Sequence, residues 1–247
     1  LTAGLEYNRD RLKDNMWGYN RHTDQTVNIY SAFLQNEWKN DRWGILIGGR
    51  LDKHNMVDNV IFSPRANLRF NPTQNINLRL SYSSGFRAPQ AFDEDMHIEN
   101  VGGTVAMIER AKDLKEEKSQ SFSVSADMYH RFGAFQTNLL IEGFYTRLTD
   151  VFVLGKPYDR GDGILVKTRS NGPGAKVMGL TLEGKVAYLS ILQIQAGLTL
   201  QRSRYDEPHK WHDDAPAEKK IFRTPDTYGY FTATCTPIKP LSIALSG

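Results

Sequence analysis

Between Ile76 and Ser83, the apolar residues Ile76, Leu78, Leu80 and Tyr82 alternate with Asn77, Arg79, Ser81 and Ser83. This is the period of two that marks a strand with one greasy and one wet face. The alternation recurs along the chain. Leu1, Ala3, Leu5 and Tyr7 share a face; Ala66, Leu68 and Phe70 oppose Arg65, Asn67 and Arg69; Phe122, Val124, Ala126 and Met128 oppose Ser121, Ser123, Ser125 and Asp127. Leu192, Ile194, Ala196, Leu198 and Leu200 against Gln193, Gln195, Thr199 and Gln201 are the cleanest case. Residues 26–38 also read as a strand, but Tyr30, Ala32 and Leu34 on one side and Val27, Ile29 and Phe33 on the other leave its facing ambiguous. With residues 43–51, 136–149, 177–188, 228–234 and the stretch from Leu241, the pattern predicts roughly eleven antiparallel strands.

The connections divide into two kinds. Short turns are expected at residues 39–42, 71–74, 131–134, near Ser190 and at 236–240. Long polar loops are expected at 8–25, 86–118, 151–175 and 203–222, with a modest one at 53–61. Short turns fall on one side and long loops on the other, the asymmetry of outer-membrane barrels; soluble sandwiches mix their turn lengths. Arg65, Arg69, Arg79, Asp127, Glu142, Glu183 and Lys185 all lie opposite the apolar residues, which suits a water-filled or plugged lumen. The pattern thus predicts an all-β fold, an antiparallel transmembrane β-barrel, over a soluble β-sandwich. Aromatics near strand ends, among them Trp38, Trp43, Phe70, Tyr188 and Tyr228, fit interfacial girdles and equally the ordinary strand propensity of aromatics.

Composition narrows the alternatives. A mean hydropathy of -0.50 with 40% hydrophobic residues and no long apolar run excludes transmembrane helices, and leaves room for strands that hide only alternate residues in lipid. The 31 Lys+Arg against 28 Asp+Glu are too balanced to imply nucleic acid. Cys235 is the only cysteine, so neither an intramolecular disulfide framework nor a cysteine-based zinc site exists. No Gly-x-Ser-x-Gly, P-loop, Gly-x-Gly-x-x-Gly or His-Glu-x-x-His pattern occurs, so an enzyme is disfavoured and no cofactor is expected. The chain opens in one apparent strand and stops in another, which reads as a fragment, residues 1–247 forming one partial barrel.

Ser84-Gly85-Phe86-Arg87-Ala88-Pro89, followed by acidic residues and by Asp113-Leu114-Lys115-Glu116-Glu117-Lys118-Ser119 opening the next strand, resembles the barrel signature of TonB-dependent outer-membrane receptors. Order and spacing match, while Ala111, Lys112 and Glu116 stand where that family writes an asparagine and two prolines. The resemblance implies a barrel of about 22 strands closed by an N-terminal plug, of which this chain is about half, without plug, TonB-contacting segment or final strands. It further implies Gram-negative outer-membrane location and uptake of a scarce bulky nutrient (a ferric siderophore, haem, cobalamin or a glycan), energised by the TonB complex. The implied partners are that small molecule or metal chelate, outer-membrane lipid, the plug and TonB. The rival readings are a passive porin or barrel enzyme, and a soluble β-rich binding or adhesin module.

Candidate binding residues sit in the long loops. Trp17, Tyr19, Arg160, His209, Trp211 and His212 offer broad aromatic contact, cationic or polar donors and potential metal affinity; packing between loops is the competing role for each. The His209-to-Asp214 run is also a conceivable haem or metal site, weighed against a plain hydrated loop tip. Asp93, Glu94, Asp95, His97 and Glu99 could gather a hard cation, weighed against a solvated acidic loop. Within the motif residues Gly85, Phe86, Arg87, Ala88 and Pro89, the arginine at the lip of a strand is expected to organise the wall by pairing with acidic neighbours. The metal question stays open at this level.

Overall fold

The computed structural model describes residues 1–91, 99–101, 104–161, 163–210, 216–221, 224–238 and 240–247. Strand β1 (Thr2–Met16) ends in a 3-10 turn (Trp17–Tyr19), and β2 (Arg21–Lys39) returns beside it. Strands β3 (Trp43–His54), β4 (Ile61–Thr73) and β5 (Ile76–Arg87) continue the meander. The chain then leaves it for β6 (Glu99–Val101) and β7 (Thr104–Arg110) and resumes it with β8 (Glu117–Phe132) and β9 (Phe135–Thr149). A second excursion carries β10 (Phe152–Leu154), β11 (Tyr158–Asp159) and β12 (Leu165–Asn171). The last elements are β13 (Ala175–Tyr188), β14 (Leu192–His209), β15 (Glu218–Lys220), β16 (Thr227–Ile238) and β17 (Leu241–Ser246).

Among the described residues, the wall strands lie in the order β1-β2-β3-β4-β5-β8-β9-β13-β14-β16-β17, with β15 paired to β14. This is the expected all-β meander, every neighbour in the wall antiparallel. β1 and β17 are not paired with each other, so the sheet is open. Among the described residues, no helix is long and apolar enough to cross a membrane.

Register decides the faces. Trp43, Phe70, Leu78, Ala126, Ile141, Leu182, Leu198 and Gly229 stand opposite one another in one row from β3 to β16. The next row is Ile45, Leu68, Leu80, Val124, Gly143, Leu180, Leu200 and Thr227. Leu80 is 51% and Val124 59% exposed, a contiguous apolar band far larger than a protein in water leaves uncovered. The facing of β2 follows from its neighbours: Tyr30 pairs with Tyr7 and Ala32 with Leu5 and Leu51, so these residues join the band. Val27 and Phe33 therefore fall on the polar face, where a side chain on Gly4 would meet the Phe33 ring at 2.5 Å. Only glycine lets that ring lie across β1.

The polar face is cross-linked. Asp52 accepts from Ser31 Oγ at 2.6 Å and from Arg50 Nε at 2.8 Å, and Arg50 also reaches Glu6 at 2.9 Å. Further round, Tyr230 donates to Glu183 at 2.5 Å and accepts from Gln195 at 2.6 Å, while Lys185 pairs with Glu183 at 3.0 Å.

The long loops differ from expectation. Residues 8–25 are a hairpin rather than a loop, because β1 and β2 stay paired up to Met16 and Arg21. Cross-strand pairs between Arg11 and Asp24 at 3.0 Å and between Arg21 and Asp14 at 2.8 Å hold this polar extension. Charge pairing across a solvated ladder leaves no hydrophobic period to read. The excursions at 86–118 and 151–175 likewise contain strands, and β14 runs to His209, well into the expected 203–222 loop. β4 extends through Thr73, so the turn expected at 71–74 is confined to Gln74 and Asn75.

Candidate functional site

The long connections gather over the polar face. Gln25 and His54 share that face with Ser31 and Asp52, and the segment after β5 crosses it: Ala91 N donates to Gln25 Oε1 at 2.8 Å, and His54 Nε2 meets Gln90 Oε1 at 3.2 Å. The Met56 amide donates to His54 Nδ1 at 3.0 Å, so both ring nitrogens of this wholly buried histidine are engaged. The motif residues make the hinge of this crossing. A side chain on Gly85 would crowd Ser119 Oγ at 3.2 Å; Ala88 packs with Val57, Ile61 and Phe86. Arg87 is cross-strand to Glu117, with its guanidinium 5.4 Å from the Phe152 ring centre. Glu117 in turn accepts from the Phe152 amide at 2.8 Å, so the lip of the wall is tied to the second excursion.

Both excursions then merge into one small sheet, β10-β12-β7-β6, with β11 on β12. β7 and β12 run parallel, Met107 opposite Val166, and these two side chains are fully buried. Asn171 fastens the roots of the two excursions: its Nδ2 donates to Lys115 O at 3.1 Å and Asp150 O at 2.8 Å, and its Oδ1 accepts from Lys115 N at 2.8 Å. Asn171→Ala is expected to cost about 1 to 3 kcal/mol locally, the range for stranding polar partners. Hydrogen exchange should speed up at Lys115 while amides of β8 and β9 stay protected.

Between the β1–β2 tip, the 88–91 crossing and the small sheet opens a cleft of about 630 Å³, lined by Arg21, His22, Glu109, Arg110, Lys112 and Arg160 among others. Arg21 is held by Asp14, Arg160 lies 3.5 Å from Glu109, and Arg110 donates to Pro89 O at 2.8 Å. Among the described lining residues, four cations meet one carboxylate, that of Glu109, which gives the cleft a field suited to an anion.

The candidate loop residues separate. Arg160 lines this cleft. Trp17, 77% exposed at the hairpin tip, sits edge-on to His22 with ring centres 4.8 Å apart, so it stands at the rim. Tyr19 belongs to the same 3-10 turn. His209 ends β14, and among the described residues none from that strand lines the cleft. Trp211 and His212 lie outside the described residues, as do Asp93, Glu94, Asp95 and His97 of the acidic run. Arg110 and Lys112 were not singled out as binding residues; their signal was Lys112 where the motif usually has a proline, with Arg110 just before the motif.

A profile described as "TonB dependent receptor-like, beta-barrel" matches residues 1–234. No curated protein matches the sequence. Among solved structures, the siderophore receptor PirA from Pseudomonas aeruginosa superposes with a TM-score of 0.75 at 16% identity, over 99% of this chain and 43% of PirA. The FrpB iron transporter from Neisseria meningitidis gives 0.61 at 16% identity over 91% and 33%, and the ferric enterobactin receptor PfeA from Pseudomonas aeruginosa (R480A_Q482A mutant) gives 0.61 at 17% over 99% and 44%. This chain spans less than half the length of these neighbours, and at such identities the likeness is one of fold. With the profile covering nearly all of the sequence and the motif at the lip of β5, the chain belongs to the TonB-dependent receptor-like β-barrel family.

Proposed function

We propose that this chain is the wall and mouth of an outer-membrane receptor that captures a bulky anionic metal chelate, of the ferric siderophore class, for TonB-energised uptake. The observation that carries the reading is the cationic cleft built from Arg21, Arg110, Lys112 and Arg160 above a polar wall. The neighbours named for siderophore and iron transport support it. In this reading residues 1–247 are part of one barrel, the polar wall facing a plug and the apolar band facing lipid. Trp17 and Arg160 contact the chelate first; Tyr19, His209, Trp211 and His212 are further candidate contacts from the sequence. The cleft supplies charge-assisted hydrogen bonds.

The test uses the complete receptor. Arg110→Ala with Arg160→Ala is expected to weaken binding of an anionic ferric catecholate by more than about tenfold, since charge-assisted contacts contribute roughly 1.5 to 3 kcal/mol each. A neutral chelate of similar size should lose little. Undiminished affinity for the anionic chelate, in a variant whose barrel still assembles, would refute the assignment.

A further inference from the structure

β2 outruns β3. The ladder between them ends at Ile29 and His54, while β2 stays in register beside β1 as far as Arg21. Residues 21–28 therefore carry a ladder on one side only. Asn55 closes the first part of the open edge: its amide donates to Asn28 O at 3.1 Å, its Oδ1 accepts from Asn28 N at 3.0 Å, and its Nδ2 donates to Thr26 O at 2.8 Å. Asn28 and Thr26 thus turn their main-chain groups away from β1, and the alternation of a strand carries the same direction on to Asp24 and His22. Both of these residues are exposed. Among the described residues, neither has a main-chain partner on that side.

This open edge borders the cationic cleft. Residues 20–23 line the cleft together with Arg110, Lys112 and Arg160. Arg21 and Gln25 are buried while His22 and Asp24 are exposed, so the odd-numbered side chains of β2 turn toward the mouth. A strand added to the edge takes up the line that β3 has left, and every second side chain of it turns the same way as Arg21. The cations of the cleft are partly engaged, Arg21 by Asp14 and Arg160 by Glu109, so charge alone fixes no orientation. The edge does: main-chain bonds hold an extended peptide in one register, and the pocket beside it reads alternate side chains.

We propose that the chelate taken by this mouth is built on a short acidic peptide, which lies extended along β2, exchanges main-chain hydrogen bonds with His22 and Asp24, and turns alternate carboxylates into the cleft. Carboxylates suit the guanidinium and ammonium donors there. No covalent bond is made or broken. The inference rests on the anionic-chelate reading of the mouth and adds to it the scaffold on which the chelating groups are carried.

The test is titration calorimetry of the complete receptor with the ferric complex of a linear acidic peptide trihydroxamate, with two depsipeptide twins, and with a ferric catecholate that has no peptide bond. Each twin has esters in place of one alternate set of main-chain amides, so it loses donors without changing charge. One twin is expected to bind about tenfold more weakly than the parent, the loss of two main-chain hydrogen bonds, and the other about as well as the parent. Asp24→Pro takes the amide hydrogen from the open edge and leaves the ladder to β1 in place, and should erase that difference between twins. Asp24→Ala, which keeps the amide, should preserve it. If the catecholate binds while the peptide chelate fails to bind, or binds no better than either twin, this proposal falls and the anionic mouth stands. If no chelate binds, both fall. A difference that survives Asp24→Pro, or is lost in Asp24→Ala, also overturns the proposal. Should Asp24→Pro not assemble, the comparison of the two twins on the unaltered receptor decides.

Discussion

Leu198→Arg in the complete receptor is expected to lower wall stability by about 2 to 4 kcal/mol, the cost of a guanidinium on the lipid face near the bilayer midplane. Leu198 lies in the row that runs from Trp43 to Gly229 with apolar residues throughout, between Leu182 and Gly229 and 43% exposed in this sheet. The neighbouring Thr199 is 7% exposed and on the polar face, where its hydroxyl and that of Thr181 are 3.1 Å apart. Thr199→Arg is the control: it adds the same charge to the opposite face and pays only for crowding, without the lipid penalty. The readout is the denaturant midpoint of folding into lipid vesicles, and equal losses in the two variants would mean that the faces are assigned wrongly.

Met107→Ala is expected to remove about 2 to 5 kcal/mol, the range for truncating a buried methionine. Met107 and Val166 are both without exposure and sit opposite each other at the junction of β7 and β12. That loss falls on the small sheet alone, because its ties to the wall are local ones such as Asn171 and the Gln25–Ala91 bond. A unit of this size has little stability to lose. The expected result is a wall that still assembles and a mouth that no longer holds its cleft, read as lost binding of the anionic chelate with unchanged heat-modifiable mobility. Loss of assembly instead would place β7 and β12 within the wall's own folding unit.

The wall was legible because most of its strands obey one constraint. An apolar face and a polar face on the same strand force a period of two, and Leu192 to Leu200 display it without interruption. β2 resisted because Val27 and Phe33 are apolar on the polar face, Val27 under the mouth and Phe33 over Gly4, so the period was masked until pairing with Tyr7 and Leu51 was known. The mouth resisted for a different reason. β7 and β12 find each other through non-local parallel pairing, and the residues around Met107 and Val166 show no alternation. Arg160 was visible as a loop cation, yet its companions Arg110 and Lys112 became part of one site only when two excursions folded together.

That parallel junction sets an order of events. Most joins of the wall are antiparallel hairpins that can zip as soon as the turn is made, and β5–β8 and β9–β13 each close over one excursion, whereas β7 must wait while all of β8 and β9 is laid down before β12 exists to receive it. Parallel partners separated by such crossovers close slowly, since the loop must be fixed before its contacts are gained. The wall therefore reaches its final form first and the cleft last. In the proposed reading, capacity to bind the anionic chelate should appear measurably later than resistance of the wall to protease during refolding into vesicles, so a newly inserted receptor should pass through an interval in which it is anchored but blind to its ligand.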